Sequence, residues 1–410
     1  MTDLEVVIIG GGPAGSVCAA RLASLGRRVA LFERAQHPRF HLGESLLPQS
    51  LGVLDAIGVL EPMSARFLVK RGARFVDGAN ADRSVRYAFA EAFHARWDHA
   101  FQVPRDEFDD LLFRRAAACG ADVRERWEVL RVLHDRGRAT GIEARAPDGS
   151  RHSFAARWVV DATGREAMVA RGAGPAEPIA GLDRTALYTQ VRGAWRDSDD
   201  REGDIQIVVF VTGDERAWFW MIPFADGRTS VGAVVSGAWM RAHRGLGGPE
   251  ALFAAAVTEA PAAARMIQGS EMLFAPRAIA DFSFRIRTIR GPGWIAVGDA
   301  AGFIDPLFST GAHLAMIGAF RAADAIDEAI RAGDDRPERL GEWERGLRIG
   351  TDLFIGAVQA FYEGDLVTYL FADPQHPFLR RAITSLLSGD VFDEDARWTH
   401  EMKARYPARG

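Results

Sequence analysis

The chain opens on a continuous apolar run, Leu4-Glu5-Val6-Val7-Ile8-Ile9, the pattern of a short buried strand. Helical character follows from Ser16 to Leu25 and stops at Gly26; a second run, Val29 to Phe32, is closed by Glu33. Two later runs end in polar turns: Trp158-Val159-Val160 before Asp161-Ala162-Thr163-Gly164-Arg165, and Trp294-Ile295-Ala296-Val297 before Gly298-Asp299. From Thr185 to Val235 the chain reads as strands: Ile205 to Val211, Trp218 to Phe224 and Thr229 to Val235, with Asp226-Gly227 as the hairpin signal between the last two. The strand period puts Trp218, Trp220 and Ile222 on one face, ahead of Pro223. Such a face is either an ordinary buried strand or the wall of a site. Residues 246–266 and 315–347 read as helices. The stretch from about 350 to 410 reads as a helical lobe with Phe354, Phe361, Tyr362, Tyr369 and Phe371 in its core.

The first strand runs into Gly10-Gly11-Gly12-Pro13-Ala14-Gly15, which fits G-x-G-x-x-G at Gly10, Gly12 and Gly15. Gly10 allows the tight turn, Gly12 lets backbone approach a pyrophosphate, and Gly15 permits close helix packing. The helix N-terminus then faces the phosphates, and Glu33 can accept from a ribose hydroxyl. With strand, helix, second strand and terminal Glu in register, this is a dinucleotide site for NAD or FAD. Asp161 and Asp299, at the carboxyl ends of distant strands, read either as caps and turn formers or as contacts to a long cofactor touched by separated segments. Phe303-Ile304-Asp305-Pro306-Leu307-Phe308-Ser309-Thr310-Gly311 leads into an apolar helix, so the N–H groups of Ser309, Thr310 and Gly311 lie at a helix N-terminus. That is an anion site, or a turn that holds only the polar edge of a cofactor ring.

Composition narrows the classes. The chain has 410 residues, 48% of them hydrophobic, enough for a large core in two or three lobes. A net charge of −5 argues against nucleic acid as a partner. Two cysteines, Cys18 and Cys119, make neither a disulfide framework nor a zinc site. No apolar run is long enough to span a membrane, and the first motif begins too near Met1 for a signal peptide, so a soluble cytoplasmic protein is expected. Lys70 and Lys403 are the only lysines among 50 Lys plus Arg. Arginine supplies charge everywhere else; lysine adds an amine whose pKa falls on burial, leaving a nucleophile.

The glycine turn, Asp161-Ala162-Thr163-Gly164, Gly298-Asp299 and Val103-Pro104-Arg105-Asp106 together resemble the flavoprotein aromatic hydroxylase superfamily over roughly residues 1–330. The resemblance implies an α/β fold: a Rossmann-type FAD-binding domain with an inserted antiparallel β-sheet substrate domain and a C-terminal helical region. FAD would lie extended, its adenosine end on the Gly motif, Arg105 near the flavin, and the ring near Gly298 to Gly311, with Pro306 in contact. Within that superfamily, Trp-x-Trp-x-Ile-Pro at Trp218 to Pro223, Phe-x-x-Pro-x-x-Ser-x-Gly at Phe303 to Gly311, Phe67 to Gly72 around Lys70, and Gly43-Glu44-Ser45-Leu46-Leu47-Pro48 are similar to the flavin-dependent halogenases, phenol and pyrrole branches. Phe308 stands where the branch acting on free tryptophan carries an acidic residue, which argues for a phenol or pyrrole, free or tethered to a carrier protein.

The halogenase resemblance implies a sequence of steps. Reduced FAD and O₂ give a C4a-hydroperoxide. Chloride or bromide held at Ser309, Thr310 and Gly311 takes its distal oxygen as hypohalous acid. Lys70 then passes electrophilic halogen to the ring. No second Gly-rich unit is present for a nicotinamide, so a separate NAD(P)H-dependent flavin reductase is the expected source of reduced FAD. Two rivals share the fold: an aromatic hydroxylase, which needs no lysine, and an inactive flavoprotein retained as a binding partner. The division expected is an FAD lobe in pieces 1–75, 100–180 and 275–330, substrate-side strands at 76–99, a substrate sheet at 181–274, and helices at 331–410.

Overall fold

A parallel sheet built from the short apolar runs forms the first layer of the computed structural model, which describes residues 4–280 and 283–409. Its order is Arg290–Gly291, Trp294–Ala296, Arg151–Asp161, Leu4–Ile9, Val29–Glu33 and Asp122–Glu125. The pairs are parallel except at the Arg290–Gly291 edge. Parallel strands buried on both faces need continuous apolar side chains, and Val6, Val7 and Ile8 are fully buried. The helices Pro13–Ser24, Arg105–Ala118 and Thr310–Ala332 pack together against this sheet.

The second sheet runs Glu271–Met272, Arg184–Arg192, Arg228–Ser236, Glu215–Pro223, Ile205–Thr212, Gly72–Asp77 and Ser84–Ala88. It is antiparallel except where Ile205–Thr212 pairs in parallel with Gly72–Asp77. That strand arrives from the N-terminal third of the chain, so the expected boundary at residue 75 falls inside it. Alternation along Glu215–Pro223 is sharp. Trp218, Trp220 and Ile222 join the core shared with the C-terminal helices, while Ala217, Phe219 and Met221 join a separate core with Leu252 and Phe253 of the helix Pro249–Glu259. The C-terminal helices, chiefly Gly341–Glu363 and Pro377–Leu387, close the first of those cores with Phe354, Phe361 and Leu386.

The two sheets meet along the carboxyl ends of the parallel strands, where ligands of open α/β sheets bind. Glycine geometry sets that edge. Gly10 takes φ +106°, and a Cβ on it would stand 2.2 Å from the Ala162 oxygen; a Cβ on Gly15 would stand 1.9 Å from the Gly10 oxygen. Gly15→Ala therefore sets a helix-propensity gain of about 1 kcal/mol against a clash with backbone that has nowhere to move. Overpacking of this kind costs about 1–3 kcal/mol, and the variant is expected to unfold at lower urea concentration than the wild type. An equal or higher midpoint would contradict the packing described.

Candidate active site

A cavity of about 670 Å³ follows the seam between the sheets and is lined by both halves of the chain. At one end stand Gly10, Gly12, Pro13, Ala14 and Glu33, with Arg34, Ala35 and Arg39 beside them. The helix Pro13–Ser24 starts there with no side-chain cap, so its first N–H groups are open to an anion. Glu33 holds the turn, accepting from Gly11 N at 2.7 Å and Ala35 N at 2.8 Å. A Cβ on Gly12 would have nothing nearer than Arg39 at 3.8 Å. Gly12 is thus not demanded by the fold, and its open space lies on the cavity side.

Ala162 and Thr163, packed against Gly10, line the cavity next to it, as do Gly164, Arg165 and Arg105. Of the two readings open for Asp161, turn former or cofactor contact, its carboxylate takes the first. Its carboxylate is fully buried and spent on four local donors: Thr163 N and Oγ1, Val169 N and Ala170 N. It shapes the turn and meets the cavity only through that backbone. Arg105 is clamped to Asp109 by Nε at 2.7 Å and Nη2 at 3.1 Å. Asp299 faces the cavity; burial pushes its carboxyl up to about 6 against the pull of Arg105 and Arg165. Gly298 turns with φ +62°, and its missing Cβ admits Ala14.

The far end joins the tryptophan strand to the start of the long helix. Trp218, Trp220 and Ile222 line it, with Phe303, Pro306, Ser309 and Gly311 opposite. Pro223 closes the strand opposite Thr229. Gly232 lets the Trp220 indole lie across the neighbouring strand, since a Cβ there would stand 2.3 Å from the ring. Both indole nitrogens are occupied: Trp218 Nε1 donates to Tyr362 Oη at 2.9 Å and Trp220 Nε1 to Ser230 Oγ at 3.1 Å. The indoles therefore present only carbon to the cavity. Ser309 takes φ +58° and gives the helix Thr310–Ala332 no side-chain cap, and Thr310, fully buried, has its Oγ1 without a partner.

Lys70 is 1% exposed. Its Nζ donates to Ser45 Oγ at 2.9 Å and to the Leu46 oxygen at 3.0 Å, and lies 5.2 Å from the Phe89 ring centre. Burial pulls the amine down to about 7, only partly opposed by Asp204. Ser45 lines the cavity, so Lys70 stands one side chain behind its wall. Glu44 lines it too, accepts from Gln190 Nε2 at 3.0 Å, and is pushed up to about 7 by burial. Sequence reasoning placed Glu44 and Ser45 only in a motif, named Tyr362 only as an aromatic of the helical lobe, and missed Gln190. A carboxylate set before Leu-Leu-Pro was the one visible signal.

The shape and chemistry fit FAD: a cavity lined by both halves of the chain, uncapped helix N-termini at the glycine turn and at Ser309, and Arg105 in its wall. Among the described residues no cluster of metal-ligating side chains and no membrane-crossing helix occurs. Fold and site together define an FAD-binding flavoprotein, and the profile of the FAD binding domain matches residues 3–345. The 1H-pyrrole-2-carbonyl-[peptidyl-carrier protein] chlorinase of Pseudomonas fluorescens is 31% identical over 95% of this chain and 90% of its own length. The corresponding brominase of Pseudoalteromonas luteoviolacea is 30% identical over 95% and 92%. The structure of the flavin-dependent brominase Bmp2 superposes with a TM-score of 0.87 at 27% identity, covering 98% of each chain. The chain belongs to the flavin-dependent halogenases, enzymes that use FAD and a halide.

Gly12→Ala tests the cofactor end without disturbing the fold. We expect an unchanged melting temperature for the FAD-free protein and FAD affinity at least about tenfold weaker, since close approach of a pyrophosphate needs the glycine. Fluorescence titration with FAD reads the result. Wild-type affinity would contradict the placement.

Proposed function

We propose that this enzyme halogenates an electron-rich ring, a phenol or a pyrrole, through Lys70. Lys70 itself carries the reading: a rare lysine, buried beside the cavity, with two neutral hydrogen-bond partners and an amine near neutrality. Bound FAD, once reduced, would supply two electrons to O₂, which with two more from the halide gives hypohalous acid, the second oxygen atom leaving as water. The residues of the chain divide the remaining work. The N–H groups of Thr310 and Gly311 hold the halide at the uncapped helix start, with Ser309 turning the chain into it. Trp218 and Trp220 wall the passage with carbon, so hypohalous acid meets no donor or acceptor on them. Neutral Lys70 then attacks halogen: an N–Cl bond forms, the O–Cl bond breaks, and the displaced oxygen leaves as water with the amine's proton. The haloamine passes its halogen to a ring carbon, the ring loses a proton, and the amine is restored.

The matched relatives named for carrier-bound pyrroles support a ring tethered to a carrier protein as the substrate class. Reduced FAD would come from a separate reductase.

Reconstitution with a flavin reductase, NADH, FAD, chloride and a panel of phenols and pyrroles, free and carrier-bound, tests this by mass spectrometry. Lys70→Arg keeps the charge and loses the tunable amine. It should bind FAD and consume O₂ but form at least about a hundredfold less halogenated product, the scale of a lost catalytic nucleophile or proton-transfer group. Near-wild-type product would remove Lys70 from the chemistry. A pH profile adds the sign. Because burial lowers this amine's pKa to about 7, it is protonated and inert below that value and neutral above it. Product formation under saturating reduced FAD should rise about tenfold per pH unit below 7 and level off above it. A flat profile from pH 6 to 8 would contradict the neutral-amine step.

A further inference from the structure

One hydroxyl from the C-terminal helices ties the two halogenase motifs together. Tyr362 lies in the last turn of the helix Gly341–Glu363, outside both motifs. Its Oη accepts from Trp218 Nε1 at 2.9 Å and donates to Asp305 Oδ2 at 2.7 Å. The other oxygen of Asp305 accepts from Leu307 N at 3.0 Å and caps the turn Pro306–Phe308. That turn leads directly into Ser309 and the uncapped helix start. Trp218, Tyr362 and Asp305 are all buried, Asp305 completely.

The direction of each bond is forced. The indole can only donate, a hydroxyl does both, and the Asp305 carboxyl, pushed up to about 6 by burial, can only accept once ionised above that pH. No other residue type has a rigid ring of that reach ending in a group that accepts from one motif and donates to the other. Arg184 lies 3.7 Å above the Tyr362 ring, and Arg216 Nη1 donates to its backbone oxygen at 3.1 Å, so the tyrosine is held at its face and its backbone independently of the bridge.

We propose that Tyr362 is a positioning residue for halogenation, coupling the orientation of the Trp218 indole to the halide-binding turn so that halide capture and the walled passage form together. This rests on the halogenase reading above. Tyr362 acts through Trp218 and Asp305 and does not reach the reacting atoms itself.

Tyr362→Phe keeps the ring under Arg184 and removes only the bridge. FAD affinity should stay within about twofold. The bromide concentration at half-maximal product rate should rise about tenfold, the equivalent of one hydrogen bond to a charged group. The Trp218 indole N–H, followed by NMR in nitrogen-labelled tryptophan protein, should exchange with solvent at least about tenfold faster, because its acceptor Tyr362 Oη is gone. A variant that holds FAD with the wild-type bromide requirement, or with unchanged indole exchange, overturns the proposal. If Tyr362→Phe fails to hold FAD, Asp305→Asn carries the test. It is isosteric but turns one of the two acceptor oxygens into a donor, so the bond from Tyr362 or the bond from Leu307 N is lost, and it must raise the bromide requirement; an unchanged value overturns the proposal equally. A wild-type enzyme that halogenates no ring in the panel contradicts the proposed function instead. Bromide titration of the bound-FAD absorbance, wild type against Tyr362→Phe, then reads the bridge without turnover: a shifted midpoint supports it and an identical midpoint overturns it.

Discussion

A primary amine taken out of water must find a carboxylate, lose its proton or destabilise the fold around it. Lys70 is given a hydroxyl and a carbonyl, Ser45 Oγ and the Leu46 oxygen, and an aromatic ring beyond them. Asp204, the acid that pulls its pKa upward, is itself engaged by Arg86 at 2.6 Å and Arg71 N at 3.1 Å. Those partners satisfy the amine without fixing its charge. The arrangement leaves a buried amine close to its titration point at neutral pH, and the surrounding architecture holds it there. The loop through Glu44 and Ser45 supplies both the amine's anchor and part of the cavity wall, and the two-stranded pair of Leu68–Lys70 with Ala100–Gln102 fixes the lysine from the other side.

The cavity is electrostatically uneven, and the unevenness matches a division of labour. Its two helix starts, each without a side-chain cap, offer partial positive charge to anions. The region around Lys70 holds groups that burial drives toward neutrality, Lys70 downward and Glu44 upward, both to about 7. Anions are favoured at the ends and uncharged species beside Ser45. Hypohalous acid, neutral and small, suits a passage walled by indole carbon.

The legible parts of this molecule were those written in local spacing. The glycine turn and Glu33 lie within a single strand-helix-strand unit, and the alternation Trp218, Trp220, Ile222 appears in the structure as two separate cores. Lys70 stood out by its rarity and by the Phe67 to Gly72 context around it. Asp161 stayed open in the sequence because an aspartate ending a strand looks the same whether it faces a ligand or caps its own turn; the four donors around it show the turn. Glu44 with Gln190, and Trp218 with Tyr362 and Asp305, join positions far apart in the chain, and the parallel pairing of Gly72–Asp77 with Ile205–Thr212 is non-local in the same way. No periodicity encodes such meetings. Tyr362 in particular reads as one more aromatic of a helical core, and its hydroxyl acquires meaning only once two other segments are folded against it.

The account turns on a halide seated at the start of the helix Thr310–Ala332, beside the cofactor and upstream of Lys70. Anomalous diffraction from crystals of the FAD-loaded enzyme soaked in bromide tests it most directly. The account predicts a single strong peak on the amides of Thr310 and Gly311, next to the flavin ring. A well-ordered crystal with FAD in place and no peak there, or with bromide bound only elsewhere, would contradict it.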